Sequence, residues 1–166
     1  MDERDYAGRL RELWPRDDSH GCLAEALALS ERAVRDCPGS ASLLCMRGDL
    51  LQLAPSTYEA ADDPRGCYRR AIDLDPRNAE AWESLGFYYD VFDDDFPRAI
   101  DAFRRAIECG AGPDSVRGLA RALAEGGQPG EAIAVIERAL ADPPGDADRA
   151  AFSELEEEIE RGDWAL

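Results

Sequence analysis

One thirteen-residue pattern returns four times along the chain, and a chain built on such a period cannot bury its apolar residues in one closed unit. The segments are A-L-A-L-S-E-R-A-V-R-D-C-P (26–38), P-R-G-C-Y-R-R-A-I-D-L-D-P (64–76), A-I-D-A-F-R-R-A-I-E-C-G-A (99–111) and A-I-A-V-I-E-R-A-L-A-D-P-P (132–144). Aligned on a shared alanine (Ala33, Ala71, Ala106, Ala139), they repeat at intervals of 38, 35 and 33 residues. Periods in this range mark arrays in which each supersecondary unit covers the apolar face of its neighbour.

A second apolar pattern lies upstream of the last three segments: Leu44, Gly48 and Leu51; Trp82, Leu85, Gly86 and Tyr89; Val116, Leu119, Ala120 and Leu123. Spacings of three and four place each set on one helix face. The unit is therefore helix A, turn, helix B. A Gly or Ala in helix A allows the paired helices to approach backbone to backbone, and Tyr68, Phe103 and Ile136, three residues before the shared alanine, fill the space between units. Pro38, Pro76 and Pro144 follow the B segments, where a ring that cannot continue a helix ends it.

The run W-E-S-L-G-F-Y-Y (82–89) followed by A-I-D-A-F-R-R-A (99–106) resembles the tetratricopeptide repeat motif, with one extra residue in the turn. Residues Val116 to Pro144 keep the family's spacing without insertion. The second repeat departs from it, with Pro64 where the first alanine of helix B belongs and a longer turn around P-S-T-Y-E-A-A-D-D; helix B is expected to start at Pro64. The resemblance implies a single all-α domain over 1–166, an α-solenoid of antiparallel helix pairs with about four repeats. Expected boundaries are a degenerate repeat at 3–40, where Tyr6, Leu10 and Leu13 make a short helix before Trp14-Pro15, then repeats at 41–78, 79–112 and 113–146. A capping helix at 147–161 carries Phe152, Leu155 and Ile159 on one stripe and glutamates elsewhere, giving the last unit a polar outer face.

Thirty-six Asp and Glu against 19 basic residues leave a net charge of −17, which opposes nucleic acid and anionic membrane as partners. All 19 basic residues are Arg, so lysine-based phosphate loops and Schiff-base chemistry are excluded. The five Cys show no C-x-x-C and no zinc-ligand spacing with the one His, and neither metal nor cofactor is expected. They read as small buried residues of a reducing compartment. An acidic N-terminal segment without an apolar h-region leads to the expectation of a cytoplasmic protein.

No catalytic constellation is expected. His20 falls in a D-D-S-H-G-C stretch read as loop, without an acid or nucleophile to partner it. Asp62, Asp63 and Asp93 to Asp95 read as solvated turns, because the spaced carboxylates and central Gly of a helix-loop-helix calcium loop are missing.

In a stacked array the A helices line the concave surface, where extended or helical peptides are held. Counting from the packing residues, that face carries Ser42, Cys45, Asp49 and Gln52; Glu80, Glu83, Phe87 and Asp90; and Asp114, Arg117, Arg121 and Ala124. The candidate peptide-binding residues are Asp49, Glu80, Glu83, Phe87, Asp90, Arg117 and Arg121. Some family members grip a C-terminal carboxylate with Lys and Asn on successive A helices; this chain has no Lys, and Asn78 lies before helix A, so that clamp is absent. The acidic face instead favours a basic or amphipathic protein segment, with Phe87 as an aromatic anchor. The expected function is thus a protein-interaction scaffold. The alternative is a dedicated chaperone or immunity-type protein that masks one secreted or toxic partner.

Overall fold

A computed structural model describes residues 1–15, 20–141 and 145–162, and side chains within these except those of residues 20 and 21. The described residues form nine α-helices and no strand: α1 (Glu3–Glu12), α2 (His20–Asp36), α3 (Ala41–Gln52), α4 (Pro64–Leu74), α5 (Ala79–Val91), α6 (Phe96–Glu108), α7 (Pro113–Glu125), α8 (Pro129–Ala141) and α9 (Asp146–Arg161). The all-α helical-repeat class expected from the period is the one observed. The chain divides into two compact units, Met1–Ser84 and Leu85–Leu166, with the division inside α5.

In the first unit α3 packs against α1, α2 and α4. Its core gathers Tyr6, Leu10, Leu27, Leu43, Leu44, Leu50 and Ala71. Helix α4 does begin at Pro64, and the reason lies one residue earlier: the Asp63 side chain accepts the Gly66 N–H at 2.9 Å as an N-cap. Asp95 caps α6 in the same way, accepting the Arg98 N–H at 3.1 Å. These two carboxylates, expected to be merely solvated, set where the B helices start.

The glycines of helix A act differently from expectation. They accommodate rings rather than a neighbouring backbone. A Cβ at Gly48 would overlap the Tyr68 ring, one at Gly86 would lie 2.8 Å from Phe103 Cδ1, and one at Gly118 would lie 2.5 Å from Phe103 Cζ. Phe103, fully buried on α6, is thus held between a glycine of α5 and a glycine of α7. Ile136 and Ala120 occupy the corresponding places in the last repeat, and both are fully buried.

Helices α6 and α7 end on Gly110 and Gly127, at φ 96° and 79°, with Ala111 N–H bonded to the Ala106 carbonyl and Gln128 N–H to that of Leu123. This is the glycine-terminated close that satisfies the last free carbonyls. The turn after α5 carries the extra residue recognised in the sequence, and Asp94 takes the left-handed conformation there at φ 49°.

Two further sequence expectations are corrected. His20 to Cys22 belong to α2 rather than to a loop, because the helix begins at His20; residues 17–19 of that stretch and Pro144 lie outside the described residues. Trp82 is only half-buried, its indole N–H donating to the Pro76 carbonyl at 3.0 Å, so it closes the turn before α5 instead of filling the core. Its loss costs less than the roughly 3–5 kcal/mol of a fully enclosed aromatic. Arg47, not singled out by pattern, is fully buried on α3, donating through Nη1 to the Leu27 carbonyl at 3.0 Å and Ser30 Oγ at 3.1 Å.

Gly118→Ala should lower stability by about 1–2 kcal/mol, the overlap with Phe103 outweighing alanine's helix preference of about 1 kcal/mol. In a Phe103→Leu background the same change should cost about 1 kcal/mol less. Urea unfolding of the four chains measures this, and additivity within about 0.3 kcal/mol would show that the ring does not require the glycine.

Candidate functional site

The residues expected on the A-helix face have different fates in the two units. In the first, Asp49 is half-buried on α3 and its Oδ1 accepts from the Tyr68 hydroxyl at 2.7 Å and from Ser84 Oγ at 3.3 Å. Gln52 donates to the same Tyr68 hydroxyl. Asp49 therefore anchors the polar end of a buried tyrosine rather than standing free. Burial pushes its carboxyl above the usual range, against the opposing pull of the Tyr68 and Ser84 hydrogen bonds.

Glu80, on the first turn of α5, is exposed as a residue, yet loss of hydration and then the Asp49 charge raise its carboxyl, with Arg11 acting the other way. Glu83 is half-buried on the same helix. Cys45 is fully buried rather than lining a groove; burial first, then the charges of Glu80 and Asp49, suppress its ionisation. It is an inert core thiol.

In the second unit Phe87 is half-buried, meeting Phe103 edge-on with ring centroids 4.9 Å apart and an interplanar angle of 78°. Asp90, expected to be exposed, is only 4% exposed, and Ala124 is buried at 3%. Asp90 Oδ2 accepts from both Nη2 and Nε of Arg121, the latter at 3.2 Å, while Oδ1 has no hydrogen-bond partner among the described residues. Arg121 also lies 3.9 Å from Glu125. Arg117 pairs with Asp114 on its own helix and with Asp148 of α9 at 3.3 Å. Both arginines are thus neutralised within the unit.

Phe87, Asp114, Arg117 and Arg121 are brought together along one cleft of about 400 Å3, whose far wall is α9 through Leu155, Glu154 and Glu158. Sequence reasoning assigned those glutamates to solvating the cap. Their placement follows from α9 packing against both α7 and α8, which turns the 151–154–155–158 edge toward the cleft. Neither Glu154 nor Glu158 has an ion-pair or hydrogen-bond partner among the described residues. Apolar floor and unpaired carboxylates coexist there.

Tetratricopeptide repeat models match residues 67–101 and 88–147. Residues 67–147 are thus tetratricopeptide repeats. Among curated proteins this repeat protein is similar to the general transcriptional corepressor ssn6 of Schizosaccharomyces pombe, 32% identical over 102 residues that make up 60% of the chain and 8% of that relative. The chain therefore spans a small part of the relative it matches. Among solved structures it is similar to PilW, described as a type IV pilus biogenesis factor, with a TM-score of 0.74 at 18% identity, covering 98% of this chain and 73% of that one. It is similar also to YrrB, described as a tetratricopeptide repeat protein with an unusual peptide-binding site, with a TM-score of 0.60 at 23% identity over 76% of this chain and 63% of that one. At these identities the likeness establishes the fold. Among the described residues of the repeat protein no group of His, Cys, Asp and Glu could hold a metal ion, and no helix is long and apolar enough to cross a membrane.

The raised carboxyl of Asp49 has a consequence for stability. Its folded-state pKa lies above the unfolded value, so the folded state binds the proton more tightly. This contribution is present in full below the unfolded pKa and is lost as pH rises through the folded one. Asp49→Asn keeps an acceptor for Tyr68 and Ser84 without the buried charge. It should raise the melting temperature at pH 7 and leave it nearly unchanged near pH 3; thermal melts across that range check the sign, and a loss at pH 7 would mean the charge itself is required.

Proposed function

We propose that this chain is a protein-interaction module that receives a basic or amphipathic segment of a partner polypeptide on the face of its A helices. The observation that carries the reading is the cleft of about 400 Å3, where Phe87 and Leu155 lie beside Glu154 and Glu158 while Arg117 and Arg121 are held by internal acids. The free charge at the cleft is therefore negative, in a chain whose net charge is −17. Such a surface attracts a cationic segment and offers its apolar side chain an aromatic contact.

In the first unit Glu80, exposed on α5, has the same preference by itself, since its raised carboxyl loses part of its penalty when a cation arrives. Binding suits these groups: Asp49 is held by the Tyr68 and Ser84 hydroxyls as a packing element, and Glu80 stands at the surface beside it. The same charge argues against nucleic acid and anionic membrane as partners.

The partner is first captured from native lysate and its bound segment mapped; a basic or amphipathic segment is expected. Glu154→Gln with Glu158→Gln, or charge reversal at Glu80 and Glu83, should then slow association by about tenfold and flatten its salt dependence. Phe87→Ala should speed dissociation by about thirtyfold, the effect of losing a contact of about 2 kcal/mol, with circular dichroism confirming that the helices persist. Kinetics unaltered in all three variants would remove the binding surface from this face.

A further inference from the structure

Helix α7 carries a second surface on its opposite side. Val116 and Leu119, turned about half a circle from Arg117, Gly118 and Arg121, form the floor of a groove of about 720 Å3 between α6 and α8. Ile107 of α6, Val135 of α8 and Phe152 of α9 complete its apolar lining. Leu119 and Phe152 are buried, whereas Ile107, Val116 and Val135 remain half-exposed. An apolar trough that stays wet in the isolated chain costs free energy which a covering partner recovers.

The charges at its rim differ from those elsewhere on the molecule. Arg104 of α6 and Glu131 of α8 join across the groove at 2.5 Å, and Glu108 is matched by Arg105 at 2.9 Å. Arg138 is exposed at the same rim and has no ion-pair or hydrogen-bond partner among the described residues. With the two acids already compensated, the charge at this rim without a partner among the described residues is a cation. The N-terminus of α7, which opens onto the groove at Gly112 and Pro113 and has no side-chain cap, adds a partial positive charge of the same sign.

We propose that this groove is a second docking site, for an amphipathic helix of a partner protein that lays an apolar stripe between α6 and α8 and directs a carboxylate to Arg138. The occupant is the charge opposite of the one assigned to the α5–α7–α9 cleft. Helix-in-groove docking is read as apolar anchors at i, i+3 or i+4, and i+7. The groove's volume suits two or three such side chains, since ligand clefts run from about 300 to 1,000 Å3. A chain carrying both surfaces bridges two polypeptides of opposite charge rather than holding one. The groove's assignment does not rest on the cleft's, because the lining residues and charges are separate.

The test uses the full chain and a phage-displayed library of amphipathic twelve-residue helices, selected on the native protein and counter-selected on Ala134→Trp. Ala134 is exposed on α8 at the groove wall, so the indole blocks the trough without disturbing the core, and circular dichroism verifies the fold. Selected peptides should carry Leu, Ile or Phe at helical spacing with Asp or Glu beside them. They should bind Ala134→Trp at least tenfold more weakly, and Arg138→Glu about tenfold more weakly, while Glu154→Gln with Glu158→Gln leaves them unaffected. Failure to enrich any peptide over the blocked variant overturns the proposal, as does enrichment of basic peptides, or displacement of bound peptide by the Glu154 and Glu158 substitutions. Dodecanoate stabilising the native chain but not Ala134→Trp, in the absence of peptide enrichment, would assign the groove to a small amphiphile and equally overturn it.

Discussion

The arrangement of the second unit depends on one ring. Phe103 lies where α5, α6 and α7 meet, and it fits because Gly86 and Gly118 present bare backbone to its two sides. A glycine inside a helix costs about 1 kcal/mol relative to alanine, and α7 carries one in its middle. The ring's close approach offsets that cost by filling, at full burial, space that a Cβ would occupy. The same exchange recurs between Gly48 and Tyr68 in the first unit, with a polar addition: the tyrosine ring is buried while its hydroxyl reaches Asp49 and Gln52. Buried Tyr needs such a partner. A carboxylate on the A-helix face is thereby committed to packing, which is why Asp49 differs from Glu80 although both were expected to serve one groove.

Electrostatics in this chain is arginine chemistry throughout. Arg47 is the extreme case, fully enclosed, with Nη1 bonded to a carbonyl and a hydroxyl, Nε lacking a hydrogen bond and Asp62 at 3.8 Å. Arginine tolerates this better than lysine, being more weakly hydrated and presenting several donors in a fixed plane. Asp62 also pairs with Arg70 at 3.3 Å, so the long turn between α3 and α4 is tied to both helices through one carboxylate. In the second unit Asp90 is buried against Arg121 and keeps one oxygen without a hydrogen-bond partner among the described residues. Most of the positive charge near the A-helix face is spent on such internal pairs, and the acids that remain set the sign of what can approach.

What the sequence made legible was whatever the period repeats. The shared alanines, the ring positions on the B helices and the start of α4 at Pro64 all follow from aligning the segments, and the structure has Ala33, Ala71, Ala106, Tyr68 and Phe103 fully buried. The features that escaped are those that periodicity cannot encode. Arg47 sits at a helix position where pattern reading looks for an apolar residue, and its burial depends on the Leu27 carbonyl and Ser30 twenty and seventeen residues away. Asp63 and Asp95 precede Pro64 and Phe96-Pro97, and an acidic residue before a helix-starting proline was the N-cap signal that could have separated them from solvated turns. Trp82 carries the family's motif position, yet it has a backbone carbonyl for its N–H within one turn of chain and stays half-exposed. Of the candidate site residues, Phe87, Arg117 and Arg121 do share a cleft, but its opposite wall, Glu154 and Glu158, lies on α9, whose apolar stripe does not encode which glutamates face a neighbouring helix.

Helix α7 is the wall common to the cleft and the groove, and its packing bears on whether the two surfaces act independently. Coupling between sites requires an element with two arrangements that each ligand biases differently. Gly118 rests against the Phe103 ring so closely that rotating α7 would drive backbone into the ring, and Leu119, Ala120 and Leu123 fix the other side within the core. Interiors packed at this density do not deform gradually. A cationic segment at Arg117 and Arg121 could loosen their bonds to Asp148 and Asp90, but those bonds join side chains, and their release leaves the α7 backbone seated on the ring. The helix therefore transmits little from one face to the other, and two partners bound on its opposite sides would be held together by a rigid partition whose occupancies add rather than cooperate.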